Sequence, residues 1–245
     1  MKKLLLPLCA LLFSGCTSVT RNGAVCFTFD DFGGEGWLKA DAIFKKYNAH
    51  ATFFISGAID QDRIDVMKKL QSAGHTVGLH TVKHANATPL TDMTIEDYFN
   101  QQVKPQLDVC NANGIEIKAF AYPNNRRTEE TDAEMFKYFD YVRAGYGTPD
   151  KSVVYIPIAE TGKKMVLRGG GIGDYYKSKL ENLTAILDEA ADKNMFIVFF
   201  SHRIMPGASG IDMPTELLDA LLKHASKRKM KVIGAKEIPA LTNKK

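Results

Sequence analysis

The chain has 245 residues, of which 45% are hydrophobic and 24% are charged. This is ordinary globular composition, and the length is sufficient for one large core. The formal net charge is only +4, so the chain lacks the strongly basic balance of a nucleic-acid-binding protein, and no nucleic-acid partner is expected.

The first residues have the pattern of a secretory signal. Lys2 and Lys3 precede an apolar run over 4–13, which is followed by small residues and Cys16. The run is too short to be a permanent membrane span. Its Ser-Gly-Cys ending resembles a bacterial lipobox, which implies cleavage before Cys16 and lipidation of its thiol; a plain signal peptide cleaved nearby is the alternative. We expect a signal peptide over 1–15, a tether over 16–22 and one domain over 23–245.

The lipid would hold an exported protein at a membrane of the bacterial cell envelope, on the periplasmic side or at the cell surface. Two further cysteines, Cys26 and Cys110, remain in the domain. Because they form no Cys-x-x-Cys pair, neither a zinc ribbon nor a redox motif is indicated. Cys26 lies in an apolar run and is expected to be a core residue, while a disulfide with Cys110 stays open.

Apolar strand-like runs alternate with helix-like stretches after the tether. The predicted strands are 24–29, 51–55, 76–79, 115–121, 141–144, 153–158, 164–168, 195–201 and 231–233. The predicted helices are 37–47, 62–71, 94–113, 131–138, 178–194 and 215–228. This alternation predicts an α/β fold with a parallel sheet. Periodicity alone leaves open whether the sheet closes into a barrel.

Polar side chains follow three of the predicted strands, at the point where each strand ends. Asp30 and Asp31 follow the first strand, His80 and His84 follow the third, and His202 follows the strand over 195–201. In an α/β barrel the carboxyl ends of the strands meet on one face. These five side chains are therefore candidates for one site.

The residue types indicate metal chemistry. Two imidazoles and one carboxylate form a three-ligand site with open positions, which suits a catalytic divalent ion. If the segment from His80 to His84 is a helical turn, both rings lie on one face. Of the adjacent carboxylates Asp30 and Asp31, one could ligate the ion while the other accepts a proton from an activated water. Each feature alone has a structural alternative: a capping Asp, surface histidines, or a hydrogen-bonded His202.

The order of the motifs resembles the polysaccharide deacetylase family, carbohydrate esterase family 4, also called the NodB-homology domain. The motifs are Thr28-Phe29-Asp30-Asp31, His80-Thr81-Val82-Lys83-His84, Phe120-Ala121-Tyr122-Pro123-Asn124-Asn125 and Val198-Phe199-Phe200-Ser201-His202. The resemblance covers residues 23–240, and it implies a distorted (β/α) barrel of about seven parallel strands.

The resemblance also implies a role for each matching residue. Asp30 would be the general base, and His202 the general acid. The metal ligands would be Asp31, His80 and His84. The backbone N–H of Asn124 would be an oxyanion donor. The expected ion is Zn²⁺, with Co²⁺, Ni²⁺ or Fe²⁺ as alternatives.

The third motif departs from the family pattern. Ala121 stands where the family has an arginine that orients the catalytic base, Asn124 stands where it has a tyrosine, and Phe32 replaces a common glycine. Arg143 or Arg168 could supply the missing arginine, although either could instead form an ion pair at the barrel rim. Asp174 lies in the region where the family has the aspartate that holds the acid histidine.

The expected function is hydrolysis of N- or O-linked acetyl groups on a carbohydrate at the cell envelope, by a domain over 23–245. Four aromatic residues, Trp37, Tyr122, Tyr146 and Tyr175, are candidates for contact with sugar faces, with packing under a loop as the alternative for each. No protein partner is evident. Two other functions stay open: a glycan-binding lipoprotein without catalysis, and a hydrolase of non-sugar amides.

Overall fold

The chain enters the fold as a strand that is buried along its whole length, Ala24–Phe29 (β1). The structure is a computed structural model that describes residues 22–149, 153–162 and 164–242. The predicted signal peptide, the lipidated Cys16 and nearly all of the tether lie outside these residues and stay predictions. Among the described helices, none has the length and apolar character needed to cross a bilayer.

Strands and helices alternate along the rest of the chain. The further strands are Thr52–Ile55 (β2), Thr76–Leu79 (β3), Ala119–Ala121 (β4), Tyr141–Tyr146 (β5), Ile156–Pro157 (β6), Met165–Gly171 (β7), Met195–Ser201 (β8), Ile204–Met205 (β9), Met213–Pro214 (β10) and Lys231–Val232 (β11). The helices are Glu35–Lys46 (α1), Gln61–Ser72 (α2), Ile95–Tyr98 (α3), Lys104–Ala112 (α4), Glu129–Met135 (α5), Leu180–Lys193 (α6) and Thr215–Lys227 (α7).

Seven of the strands close into a parallel barrel. The order around it is β1-β2-β3-β4-β5-β7-β8, and β8 pairs back with β1 from Ala24 opposite Phe196 to Phe29 opposite Ser201. β11 extends β1 in parallel, and β6 lies antiparallel to β8. The predicted barrel of about seven parallel strands is therefore confirmed, and the closing pair of β1 and β8 brings two of the predicted motifs side by side.

The strand β1 buries both of its faces. On β1, Ala24 and Cys26 belong to the cluster inside the barrel, whereas Val25, Phe27 and Phe29 belong to the larger cluster under the helices. The interior mixes small side chains with large rings such as Phe54, so it is packed rather than open. Because successive side chains of a strand point to opposite faces, only every second residue can reach the axis of the barrel.

Several predicted elements are shorter or interrupted. Of the strand predicted over 153–158, only Ile156–Pro157 pairs, and of 115–121 only Ala119–Ala121 pairs. The helix predicted over 94–113 contains a π-helical segment, Phe99–Val103, immediately before α4. Pro105 lies in the first turn of α4, and because it has no amide hydrogen it interrupts the regular hydrogen-bond ladder there.

The two cysteines of the domain do not form a disulfide. Cys26 and Cys110 are both buried free thiols. Burial raises the pKa of each thiol to about 12, so both stay protonated at neutral pH. The prediction that Cys26 is a small core residue fits its place inside the barrel.

A neutral histidine is buried next to the amino end of β3. The Nδ1 of His75 accepts the N–H of Ala51 at 3.0 Å, and its Nε2–H donates to the carboxylate of Asp41 at 3.2 Å. Burial lowers the pKa of His75 from 6.5 to about 4, although Asp41 opposes this shift. The fold therefore holds the uncharged imidazole.

This histidine should make the fold sensitive to acid. Because the unfolded chain binds the proton more readily, the contribution of His75 to stability is present above about pH 6.5 and is lost as the pH falls toward 4. Between about pH 7 and pH 4.5 the free energy of unfolding of both proteins should fall, as measured by urea unfolding. Because glutamine does not titrate, we expect the fall in His75→Gln to be about 2–3 kcal/mol smaller than in the wild type. Identical losses in the two proteins would contradict this assignment.

Candidate metal and catalytic site

The carboxyl ends of β1, β3 and β8 bring all five predicted polar residues together. Asp30 and Asp31 follow β1, His80 and His84 follow β3, and His202 follows β8. Asp31 has a φ of 72°, in the left-handed region that a non-glycine residue adopts only when its surroundings hold it there. This turn lets Asp30 and Asp31 project differently, so the adjacent carboxylates do not compete for one partner.

Asp31, His80 and His84 form a group that could hold a metal ion. Oδ1 of Asp31 lies 3.5 Å from Nε2 of His84 and 3.8 Å from Nε2 of His80. The three ligand atoms all lie within 4.8 Å of one another. One carboxylate and two imidazoles with this spacing fit a three-ligand divalent site such as that of zinc.

The ligand geometry of His80 is set by the backbone of β4. Its Nδ1–H donates to the carbonyl oxygen of Ala121 at 2.8 Å, which directs Nε2 toward Asp31. Burial lowers the pKa of His80 to about 4, despite the opposing charge of Asp30. The imidazole is therefore neutral at physiological pH, which is the form that binds metals.

The segment from His80 to His84 is a loop and not the helical turn considered from its spacing. Thr81 and His84 both have positive φ values, of 69° and 51°. Gln102, in the π-helical segment, holds this loop twice: its carbonyl oxygen accepts the N–H of Val82 at 2.9 Å, and its Oε1 accepts the N–H of Lys83 at 3.1 Å. Gln102 was not predicted as a site residue, because its contact with Lys83 joins positions 19 residues apart.

Asp30 forms a buried ion pair with Arg143 on β5. The side chain of Arg143 is 1% exposed, and its guanidinium lies 5.6 Å and 5.1 Å from the ring centres of Phe54 and Phe200. Nη2 contacts Oδ2 of Asp30, while Oδ1 of Asp30 is buried and has no hydrogen-bond partner in the described part of the chain. Asp30 is one of the residues that line the cavity described below, together with His80 and His202.

The charge of Arg143 keeps Asp30 ionised. Burial by itself would raise the pKa of Asp30, but the attraction of Arg143, and then of His80 and His202, outweighs it and leaves the pKa below its usual value. A buried carboxylate without such a partner would be protonated. Asp30 is thus available to accept a proton at neutral pH.

Of the two arginine candidates, the structure brings only Arg143 to Asp30. Arg143 is the register partner of Ala121, the position where the family has its arginine. Because cross-strand partners point to the same side of a sheet, the side chain of Arg143 enters the barrel next to position 121, where the family arginine would lie. Arg168 is exposed, and no contact joins it to Asp30 within the described residues.

His202 is held by backbone groups. Its Nδ1–H donates to the carbonyl of Ile211 at 3.2 Å, and its Nε2 lies 3.9 Å from Oδ2 of Asp31. Trp37 donates its indole N–H to the carbonyl of His202 at 3.0 Å. The expected aspartate, Asp174, makes no hydrogen bond to His202 in the part of the chain that is described. The carbonyl of Ile211 therefore stands where the family has an aspartate.

These residues surround a cavity of about 300 Å³, which we call the catalytic cavity. It is lined by Asp30, His80, His84, Tyr122, Asn124, Asn125, Gly147, Tyr175, Tyr176, Phe200 and His202. Tyr175 is 73% exposed at its edge, whereas Tyr122 is fully buried in its wall. The prediction that Trp37 contacts substrate is wrong, because Trp37 is fully buried and packs on Phe53 with ring centres 5.0 Å apart.

Asn124 lies in a short 3-10 turn, Pro123–Asn125, at the end of β4. It has a φ of 50°, and its side-chain Nδ2–H donates to Oδ1 of Asn86 at 2.9 Å. Its amide side chain is therefore engaged away from the metal ligands. The oxyanion role that we expect of Asn124 belongs to its backbone N–H and stays a prediction.

Comparison with known proteins assigns a family to this arrangement. The family model for polysaccharide deacetylase matches residues 17–144, more than half of the chain. Among curated proteins, the chain is similar to a chitin deacetylase of Arthroderma benhamiae, with 29% identity over 194 residues. These residues are 72% of this chain and 50% of that protein, so the chain spans about half the length of this relative.

Two solved structures share the fold. Peptidoglycan deacetylase PdaC of Bacillus subtilis has a TM-score of 0.61 at 15% identity, over 91% of this chain and 92% of that one. BA3943 of Bacillus anthracis, described as a pseudoenzyme of carbohydrate esterase family 4, has a TM-score of 0.57 at 17% identity, over 90% of this chain and 66% of that one. At these identities the likeness extends to the barrel alone.

The role of Gln102 can be measured through metal binding. Removal of its side chain in Gln102→Ala frees the N–H of Lys83 and loosens the loop that carries His84. We expect the Zn²⁺ affinity, measured by competition with a chelating dye, to fall about tenfold or more. Gln71→Ala is the matched control, because the one side-chain hydrogen bond of Gln71 within the described residues goes to the carbonyl of Glu116. An unchanged affinity in Gln102→Ala would show that the loop does not need this support.

Proposed function

Because this chain belongs to the polysaccharide deacetylase family, we propose that it is a metal-dependent hydrolase that removes N- or O-linked acetyl groups from a carbohydrate of the bacterial cell envelope. The observation that carries the proposal is the convergence of five groups: Asp30, His80, His84 and His202 line the catalytic cavity, and Asp31 lies 3.5 Å from His84. Asp31, His80 and His84 could hold one ion, and Asp30 and His202 flank them.

The catalytic roles that we propose follow from the state of each group. Asp30, held ionised by Arg143, accepts a proton from the attacking water through its unpartnered Oδ1. The backbone N–H of Asn124 donates to the acetyl oxygen as negative charge develops there. His202, with Nδ1–H bonded to a carbonyl, carries the transferable proton on Nε2 and donates it to the leaving nitrogen or oxygen.

A divalent ion bound by Asp31, His80 and His84 would supply Lewis-acid chemistry, polarising the acetyl carbonyl and lowering the pKa of a water. The donor set fits Zn²⁺, and it also accommodates Co²⁺, Ni²⁺ or Fe²⁺. His80 is neutral and oriented before any ion binds, since its Nδ1–H is already engaged. The site is therefore suited to metal binding without rearrangement of this ligand.

Arg143 supports catalysis over the non-catalytic alternative. The glycan-binding function was favoured by the missing arginine at position 121, and the likeness to a pseudoenzyme shows that this fold does not by itself guarantee activity. Arg143, however, places a guanidinium on Asp30 from the neighbouring strand. We infer that Arg143 compensates for the departure in the third motif, and this supports a catalytic site over an inactive one.

The substrate and location that we propose rest on the edge of the cavity and on the first residues. Tyr175 offers an exposed aromatic ring beside the catalytic cavity, as suits a sugar face. The lipobox-like Ser-Gly-Cys16 would tether the protein to an envelope membrane. Relatives named peptidoglycan N-acetylglucosamine deacetylase, which match about a third of this chain, agree with an envelope glycan.

Acetate release tests the proposed reaction directly. We expect the protein to release acetate from N-acetylglucosamine oligomers or from acetylated xylan, to lose this activity after chelation, and to regain it with Zn²⁺ or Co²⁺. Asp30→Asn should lower kcat by about a thousandfold or more while metal affinity is retained. Glycan binding with no turnover, unchanged by Asp30→Asn, would favour the non-catalytic function instead.

An exchange of arginines tests the compensation. Arg143→Ala should reduce kcat by about a hundredfold or more, because Asp30 loses the partner that orients it. The double variant Ala121→Arg, Arg143→Ala returns a guanidinium to the adjacent inward-facing position, so part of the activity should be recovered. Ala121→Arg in the wild-type background is the control. No recovery would mean that position 143 has a task that a guanidinium on β4 cannot perform.

A further inference from the structure

Asn125 is fixed by two hydrogen bonds that end on the same atom. Its Oδ1 accepts from Nη1 of Arg143 at 2.6 Å and from the backbone N–H of Gly145 at 2.7 Å. Both partners are donors only, so the oxygen must occupy this side of the amide and the nitrogen the other. The orientation of Asn125 is therefore set by the protein before substrate arrives.

The nitrogen of Asn125 is left without a protein partner. No acceptor lies within hydrogen-bonding distance of its Nδ2 in the described residues. Asn125 lines the catalytic cavity and also a neighbouring side cavity of about 440 Å³. The side cavity is bounded by Thr88, Asn124, Asn125, Arg126, Arg127, Gly145 and Gly147. Asn125 thus belongs to the walls of both cavities, with its amide nitrogen unpartnered among the described residues.

We propose that Asn125 has two linked tasks: its oxygen positions Arg143 against Asp30, and its nitrogen donates a hydrogen bond to a sugar oxygen of the glycan beside the acetylated position. This inference rests on the proposed deacetylase function. Arg143 donates one hydrogen bond to Asp30 and another to Asn125, so its guanidinium links the proposed base to the amide of Asn125. Asn125 thereby joins substrate recognition to the orientation of the base.

The backbone at this position guides the choice of variants. Asn125 has a φ of 57°, in the left-handed region, so alanine would add strain whereas glycine would not. Asn125→Gly removes both tasks without that strain. Asn125→Asp keeps an oxygen acceptor for Arg143 and Gly145 and removes the donor. Asn48→Gly is the matched control, because Asn48 also has a positive φ, of 50°, and its exposed side chain lies outside both cavities.

Steady-state kinetics on an N-acetylglucosamine oligomer separates the two tasks. For Asn125→Asp we expect KM to rise about fivefold, the effect of losing one hydrogen bond, while kcat falls less than in Asn125→Gly because an oxygen acceptor for Arg143 is kept. For Asn125→Gly we expect the same rise in KM and also a fall in kcat of about tenfold or more, because Arg143 is released. Asn48→Gly should match the wild type in both constants.

Each contrary result overturns one part of the inference. An unchanged KM in Asn125→Asp would remove the donor role, and an equal fall of kcat in Asn125→Asp and Asn125→Gly would remove the positioning role. If the wild-type protein released no acetate from any glycan tested, the deacetylase function would fail instead. The contact between Asn125 and Arg143 would then be tested by urea unfolding of Asn125→Gly, Arg143→Gln and the double variant. Losses of unfolding free energy that add would overturn the contact, and losses that do not add would support it.

Discussion

The architecture of this site depends on one buried ion pair, between Arg143 and Asp30. A guanidinium enclosed by Phe54 and Phe200 has almost no access to water, so it requires a counter-charge within the protein. Leaving either member unpaired would cost several kcal/mol. The same requirement keeps Asp30 ionised, and the stability of this end of the barrel and the basicity of the proposed catalytic base are therefore linked.

Glycines on β5 and β7 make room for aromatic rings around that pair. A Cβ at Gly145 would lie 2.5 Å from the ring of Phe200, and one at Gly171 would lie 2.4 Å from the ring of Tyr176. Both distances are shorter than carbon atoms tolerate, so the rings that enclose Arg143 and line the catalytic cavity can pack only against glycine. The glycine at position 171, in the Gly-rich end of β7, thus has a packing reason.

The sequence was most informative where a strand is buried on both faces. β1, β3 and β8 were predicted at their observed bounds because continuous apolar runs end there in charged or polar residues. Barrel closure followed only from the family resemblance. Arg143 and Arg168 could not be separated from sequence, because the choice depends on which way each strand faces. Trp37 was misjudged because its burial comes from residues distant in the chain, and Gln102 was missed for the same reason.

The hydrogen bond from His80 to the carbonyl of Ala121 has an evolutionary consequence. A backbone carbonyl is present whatever side chain the residue carries, so the imidazole keeps its orientation through any replacement at position 121. The arginine typical of the family could therefore be lost from β4 without disturbing the ligand beside it. With the guanidinium on β5, position 121 has only to supply its carbonyl, and a small side chain there leaves the barrel axis open to Arg143.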